Sequence, residues 1–580
     1  MLFLNQLSIK TSLYSIIILA NMSCSKSVQE TLPKTTDTTT TVIAPATDPA
    51  VASTVGFFLD GWQGKTFTAP EYVNGAVPDQ TATTVTMDAS TILTKIPQTI
   101  FGHNANTWMG TFVDEPGFMT NITNLKPNII RWPAGSGSDG YFWNAEPGKI
   151  PEGAPDKYVD KDGNKFDAWF GYGKTKDNWR ASLDNYYDML RLSNNKGVIT
   201  VNYGFARYGI SANPVATAAH LAADWVRYDK GRTEYWEIGN ENYADWEVGY
   251  RIDLSKNKDG QPEFLTGKLY AQHFKVFADS MRKAAAEIGK KIKIGAVTQE
   301  SQTESWQNNT TKTWNATMMP ELNNQADFFI VHNYITPYGE NSTAATVLNS
   351  ALTVPAKMMN FVTNELKTNG AAIKPIAFTE WNMWAKDSKQ QVSNTSGLFA
   401  ILVQGEALKN NYGLAARWDL LNGWENGNDH GLFSDGGSPD DPRWNPRPSF
   451  YYMYFFQKCI GDRLVATSLT GNDKIKSYAS TYSSGQANVT LVNTSSVAQT
   501  VEVKLKNFRL GNRYYWYSLE GENDNGEFSR KVKVNGSGTK SAAGGPSDYA
   551  SLKAQSALTT NGVKVTVPAW GAVCVMIDKK

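Results

Sequence analysis

The chain has 580 residues, 41% of them hydrophobic, with 56 Lys+Arg set against 55 Asp+Glu. That length exceeds one ordinary domain and suits a large barrel with a smaller companion, while a net charge of +1 argues against nucleic-acid binding, which needs a basic surface. Three widely spaced cysteines, Cys24, Cys459 and Cys574, form neither a zinc cluster nor a disulfide scaffold.

The chain opens with LYSIIILA at residues 13–20, behind Lys10. This run is too short to span a membrane and suits the apolar part of an export signal. It ends at Asn21-Met22-Ser23-Cys24. A small residue followed by Cys resembles a bacterial lipoprotein signal, which implies acylation of Cys24; the alternative is an ordinary signal with an incidental Cys. Residues 25–55 are rich in Thr, Ser, Ala and Pro and read as a flexible tether. The expectation is an exported outer-membrane lipoprotein of a Gram-negative bacterium, held to the membrane by its lipid alone. Ser25-Lys26-Ser27 lacks an acidic retention residue, in keeping with the outer membrane.

Residues 56–95 are expected to add strands to a later sheet, Thr83–Ser90 among them. Residues 96–458 repeat one theme: a short β-branched run closing on polar or aromatic residues, followed by a helical pattern. The runs are Thr99–Asn104, Asn128–Trp132, Gly197–Tyr203, Tyr235–Glu241, Lys293–Val297, Phe328–Tyr334, Ile376–Glu380 and Leu414–Asp419. Amphipathic stretches at Trp179–Asn194, Pro214–Arg227, Lys268–Ile288, Val354–Thr368 and Val392–Lys409 alternate with them. Eight such units predict an α/β fold, a (β/α)8 TIM barrel. After residue 459, short alternating strands separated by Gly and Asn turns predict an accessory antiparallel β-sandwich over 459–580.

In such a barrel the chemistry gathers at the C-terminal ends of the strands. Those ends carry Asn104, Arg131, Trp132, Tyr203, Asn240, Glu241, His332, Tyr334, Glu380 and Trp381. Glu241 and Glu380 end the fourth and seventh strands and face each other across the mouth. Two opposed carboxyl groups are what glycosidic cleavage needs: one protonates the departing oxygen, the other attacks carbon or activates water. Arg131 can hold Glu380 ionised through a charge-assisted hydrogen bond, and Tyr334 can donate to the same carboxylate. Asn240 beside the acid can bind a sugar hydroxyl. Asn104, Trp132, Tyr203, His332, Trp381 and Trp424 complete the expected substrate contacts. Asp429-His430-Gly431 either lines the cleft or forms a turn, and His103 either contacts substrate or packs in the core.

The ordered set Arg131-Trp132-Pro133, Trp236–Glu241, His332–Tyr334 and Glu380–Asn382 resembles clan A glycoside hydrolases, and within them the α-L-arabinofuranosidases of family 51. That resemblance implies a retaining double displacement with Glu241 as acid/base and Glu380 as nucleophile, acting on a carbohydrate without metal or cofactor. The chain departs from the family where Ala134-Gly135-Ser136 stands in place of Gly-Gly-Asn, and in the apparent insertion Pro151–Trp179. Both departures fall where substrate is read. Two rival readings remain at this stage. One is an endo-acting β-glycanase, its long cleft lined by Trp306, Trp314, Trp381, Trp384 and Trp424. The other is a non-catalytic surface glycan-binding lipoprotein. Asp160–Asn164 and Asn257–Gly260 resemble calcium loops but lack the full ligand set, so tight turns are expected there.

Overall fold

The computed structural model describes residues 58, 61–133, 135–387, 389–423, 429–437, 442–523 and 526–580. Cys24, the signal, the tether and Trp424 lie outside the described residues. Eight parallel strands close into a barrel: β1 (Gly102–Asn104), β2 (Ile129–Trp132), β3 (Lys196–Val201), β4 (Thr233–Ile238), β5 (Lys293–Val297), β6 (Phe328–Tyr334), β7 (Ile376–Asn382) and β8 (Leu414–Arg417). The ring closes where Ala416 and Arg417 of β8 pair with Gly102 and His103 of β1. A side chain at Gly102 would run into Ile129 and the Ala415 carbonyl, so this closure requires glycine.

A long helix follows each strand: α1 (Pro116–Leu125), α2 (Leu183–Ser193), α3 (Pro214–Asp229), α4 (Gly267–Glu287), α5 (Asn309–Leu322), α6 (Ala344–Thr368), α7 (Asn394–Lys409) and α8 (Pro448–Cys459), with a short helical turn at Gly204–Tyr208 ahead of α3. Several starts are written in the sequence. The side chains of Ser182, Asn213, Thr266, Asn308 and Thr343 each accept a hydrogen bond from a backbone N–H in the first turn of the helix that follows. Helix α2 therefore begins at its cap, four residues after the expected Trp179. Helix α6 begins ten residues before the expected Val354, because Pro355 mimics a helix start but sits inside the helix. Helix α8 is apolar on nearly every side and buried, so it shows no amphipathic stripe in the sequence. No helix among the described residues is long and apolar enough to cross a membrane.

The second layer is an eleven-stranded sheet built from Tyr72–Asn74, Thr83–Lys95 and the strands after residue 463. It corrects the purely antiparallel expectation. Thr83–Lys95 runs parallel to Gln499–Lys506, and Tyr72–Asn74 runs parallel to Ala554–Leu558; the other pairs are antiparallel. Strands far apart along the chain meet in one core of Val85, Val489, Val503, Trp516, Val565 and Val575. Alternation along the strands makes this possible: Val85 and Met87 point inward while Thr84 and Thr86 do not. Helix α7 joins the layers. It is buried along nearly its whole length, Gly397 and Gly405 lie against Tyr452 and Tyr478, and the Tyr478 hydroxyl donates to Glu406 at 2.9 Å. Cys459 and Cys574 are both buried. Asp160 accepts hydrogen bonds from the backbone of Asp162 and Asn164, as a tight turn requires.

Candidate active site

The strand ends converge on one buried cation. Arg131, at the end of β2, donates through Nε to Glu237 at 2.6 Å and through Nη2 to Asn240 at 2.9 Å. Its Nη1 donates to Asn104 at 3.0 Å and to Glu380 Oε2 at 3.1 Å. Four strands thus fix one guanidinium, whose planar fork suits several acceptors at once. The second oxygen of Glu380 accepts from the Tyr334 hydroxyl at 2.7 Å. Two donors therefore aim at this carboxylate, one of them charged.

Glu241 stands opposite. Gly239 and Glu241 both adopt left-handed backbone, with φ of 80° and 42°. A side chain at Gly239 would collide with Asn242, so the turn out of β4 requires glycine there. For Glu241 the same conformation costs on the order of 1–3 kcal/mol, the kind of local strain that collects at functional sites. The turn leaves Glu241 more open than Glu380, with its Oε1 3.0 Å from His332 Nδ1. His332 Nε2 meets the Thr379 hydroxyl at 3.1 Å. One oxygen of Glu241, one of Glu380 and a ring nitrogen of His332 lie within 4.8 Å of one another. Two carboxylates and an imidazole at that spacing are ligands a divalent cation accepts, but the fixed positive charge of Arg131 already lies against Glu380 and would repel one.

Electrostatics separates these groups. Burial raises the Glu380 carboxyl, and the Glu241 charge raises it further; His332, Arg131 and the Tyr334 hydrogen bond pull the other way, and the net direction is upward. The donors from Arg131 and Tyr334 favour the ionised form of Glu380. Burial also works to raise Glu237, but Arg131, His332 and hydrogen bonds outweigh it and hold that carboxyl low. Burial pushes Glu300 up to about 7, opposed by the Asn333 hydrogen bond and aided by Glu241.

The expected contacts divide. Arg131, Glu241, His332, Tyr334 and Glu380 come together. Asn104 and Asn240 belong to the assembly but face inward. The Asn104 amide donates to the carbonyls of Thr379, Ala416 and Arg417, and the Asn240 amide donates to Glu247 at 3.1 Å. Both are therefore positioning residues, correcting their reading as sugar contacts. Trp132, Tyr203 and Trp381 are corrected further, since all three are fully buried. Trp132 stacks on Tyr186 at 5.0 Å, Tyr203 meets His273 at 3.1 Å, and Trp381 packs on Phe378 and Phe399. A strand-end aromatic whose side chain alternates away from the barrel axis packs under the helices instead. Trp314 is buried in the same way. His103 is a core histidine, held neutral by burial and by Arg417, with its pKa lowered to about 3. His430 is also buried, stacked on Trp384 and 5.0 Å from the Tyr334 ring.

Sequence reasoning missed Glu237, Thr200, Thr379, Asp139, Asn242, Glu247 and Glu300. Thr200 donates to Glu237 at 2.8 Å, Asn242 to Asp139 at 2.7 Å, and Ser136 to Glu247 at 2.6 Å. Burial raises both Asp139 and Glu247. One signal was available: Glu237 is a charge inside an otherwise apolar strand. Asp139 and Glu247 sit in loops with no pattern to mark them.

No protein-family model matches this chain, and no curated protein sequence does. Solved structures do. The chain is similar to the α-L-arabinofuranosidase of Thermotoga maritima in its arabinose complex, with a TM-score of 0.56, 16% identity and coverage of 85% of this chain and 99% of that one. It is similar to the GH51 arabinofuranosidase of Xanthomonas axonopodis pv. citri, with a TM-score of 0.59, 15% identity and coverage of 86% and 100%. A Paenibacillus polymyxa xyloglucanase of glycoside hydrolase family 44 gives a TM-score of 0.54 at 12% identity, over 86% and 100%. At these identities the likeness establishes a common fold.

Proposed function

We propose that this protein is a retaining glycoside hydrolase. The observation that carries the reading is the asymmetric carboxyl pair. Glu380 is held by Arg131 and Tyr334, and one of its oxygens lies within 4.8 Å of an oxygen of Glu241. A retaining pair stands ~5–5.5 Å apart, whereas an inverting pair needs ~6.5–9.5 Å to admit water. In the first step Glu380 attacks the anomeric carbon while Glu241 passes its proton to the departing oxygen. In the second, Glu241 takes a proton from water, which displaces Glu380 and restores the original configuration. His332, on Glu241, is placed to follow that change of charge. Tyr334 loosens its hold on Glu380 as the carboxylate becomes an ester.

The motif order and the solved arabinofuranosidases support an α-L-arabinofuranoside as the first substrate to test. A second reading, an endo-acting β-glycanase, has its own support in the exposed aromatic residues around the barrel mouth and in the xyloglucanase likeness. The test is hydrolysis of an aryl α-L-arabinofuranoside, of arabinan and of a panel of β-linked polysaccharides, with the anomer of the first product read by NMR. Retention, abolished in Glu380→Gln, is the expected result. Inverted product, or activity that survives Glu380→Gln, overturns the mechanism. The site is proposed to work on the outer membrane through acylated Cys24; a Cys24→Ser protein released into the soluble fraction is the matching outcome.

A further inference from the structure

Among the described residues, five tryptophans are exposed: Trp108, Trp169, Trp179, Trp246 and Trp306. An isolated exposed apolar side chain needs no explanation, but a shared location does. All five lie in loops that leave the C-terminal ends of barrel strands. Trp108 follows β1, Trp169 and Trp179 follow β2, Trp246 follows β4, and Trp306 follows β5. None is exposed on the opposite barrel face or on the eleven-stranded sheet. Tyr338, after β6, is the most open large apolar side chain among the described residues, at 82%.

The ring order gives these residues a direction. In a closed eight-strand ring, the ends of β1 and β2 lie opposite those of β5 and β6. The line between these two flanks crosses the line from Glu241 after β4 to Glu380 on β7. On the first flank, the Trp108 and Trp179 loops are stitched together, with Ala181 N donating to Thr107 O at 2.7 Å and Thr111 N to Asn178 O at 3.2 Å. Arg180 covers one face of Trp179 at 3.9 Å. Trp108 leans on Trp418 with ring centroids 6.0 Å apart. On the second flank, rings continue outward from the catalytic pair: Tyr334, which holds Glu380, meets Trp384 at 5.4 Å, and Trp384 meets Tyr338 at 5.1 Å. Trp306, 78% exposed, stands on the neighbouring loop. That loop is tied inward by the Asn333 amide, which donates to Glu300 at 3.0 Å.

We infer that the mouth holds an extended chain of several sugars, running from the Trp108–Trp179 flank to the Trp306–Tyr338 flank and passing between Glu241 and Glu380. Sugar rings present C–H faces that pack on flat aromatic rings, and each aromatic side chain adds a large contact area at low entropic cost. A pocket for a single terminal sugar has no use for rings on both sides. The substrate class is therefore an unbranched or lightly branched polysaccharide backbone engaged on both sides of the cleaved bond. The inference rests on the hydrolase reading and narrows it toward internal cleavage.

The test is calorimetric titration of the full-length Glu380→Gln protein with xylo- and cello-oligosaccharides of two to six units, and with arabinoxylan and xyloglucan. Affinity is expected to rise with chain length beyond the disaccharide. Trp108→Ala and Trp306→Ala, each added to Glu380→Gln, are expected to weaken the longest chains about tenfold, the size of a well-placed aromatic contact. Unchanged thermal midpoints would show that both variants fold. Flat affinity across chain lengths, absence of binding to every probe, or tryptophan variants that bind long chains like their parent would overturn the inference. Flat affinity in a protein that hydrolyses the aryl arabinofuranoside would leave the hydrolase reading standing. Length-dependent binding with no hydrolysis by the unaltered enzyme would overturn that reading instead.

Discussion

Glu237→Gln is the most informative single change, because it removes the charge beside Arg131 without touching the proposed catalytic pair. Arg131 Nε lies 2.6 Å from Glu237 Oε2, and neither side chain has any solvent exposure. Removing one member of a buried pair costs ~3–5 kcal/mol when the survivor is stranded. Here the survivor is not stranded, since Glu380 stands 3.1 Å from the same guanidinium and glutamine keeps an acceptor for it. The expected loss is therefore about 2–4 kcal/mol, which in a folded region this large lowers the thermal midpoint by roughly 2–4 °C. The effect on titration has the opposite sign from a simple loss of function. With Glu237 neutral, the charge of Arg131 falls on Glu380 alone and favours its ionised form. Removing a unit charge from the far side of one guanidinium is worth on the order of one pKa unit at an effective dielectric constant of ~20. The acid limb of the kcat/KM profile, which reports ionisation of the nucleophile, should move to lower pH by about that amount. The assay is the pH–rate profile of an aryl glycoside beside a thermal melt. An acid limb that moves to higher pH, or stays fixed while the melting point falls, would refute the claim that Glu237 acts through Arg131 on Glu380.

Tyr334→Phe removes the 2.7 Å hydrogen bond that helps lower Glu380, so the acid limb should shift upward in pH and kcat/KM should fall ~10–100-fold. Glu300, with its carboxyl near 7 in the folded chain, takes up its proton more readily there than when unfolded. Its contribution to stability is thus present at low pH and is lost as pH climbs from ~4.5 to ~7. Glu300→Gln should flatten that fall in the thermal midpoint, and an unaltered slope would count against it. Trp132→Ala should cost ~3–5 kcal/mol by emptying a packed site against Tyr186 and Tyr141, with KM for a small substrate held. A raised KM at unchanged stability would return Trp132 to the cleft.

The barrel was legible because each strand is a short β-branched run closed by polar residues, a pattern that repeats too regularly for any other α/β arrangement. The proposed pair was picked out for the same reason, since Glu241 and Glu380 both fall at the close of strand runs in that repeat. The failures share one cause. A strand end offers one side chain to the mouth and the next to the helical shell, and composition alone does not say which. Trp132 directly follows Arg131 and Trp381 directly follows Glu380. Alternation therefore sends each tryptophan away from the site that its neighbour enters. Glu237 was open to detection in another way, as a lone carboxylate inside the apolar strand Thr233–Ile238. The exposed tryptophans were harder, because loop residues carry no period, and only the closed ring reveals that separate loops meet on one face.

The site's buried polar groups suit the proposed chemistry better than they suit stability. Arg131, Glu237, Asn104 and Asn240 are nearly or wholly closed to solvent, so apolar residues of similar shape would hold the barrel together at least as well. Their hydrogen bonds hold the guanidinium so that one of its remaining N–H groups points at Glu380 before substrate arrives. Charge that develops or disappears on Glu380 during displacement thus meets a dipole that need not reorganise, which is where electrostatic stabilisation is largest. Glu241 has the reverse arrangement: a more open carboxyl on a strained turn, with one imidazole beside it. A proton donor must exchange with water once in each cycle and a nucleophile must not. The difference in exposure between the two glutamates matches the proposed roles of Glu241 as acid/base and Glu380 as nucleophile.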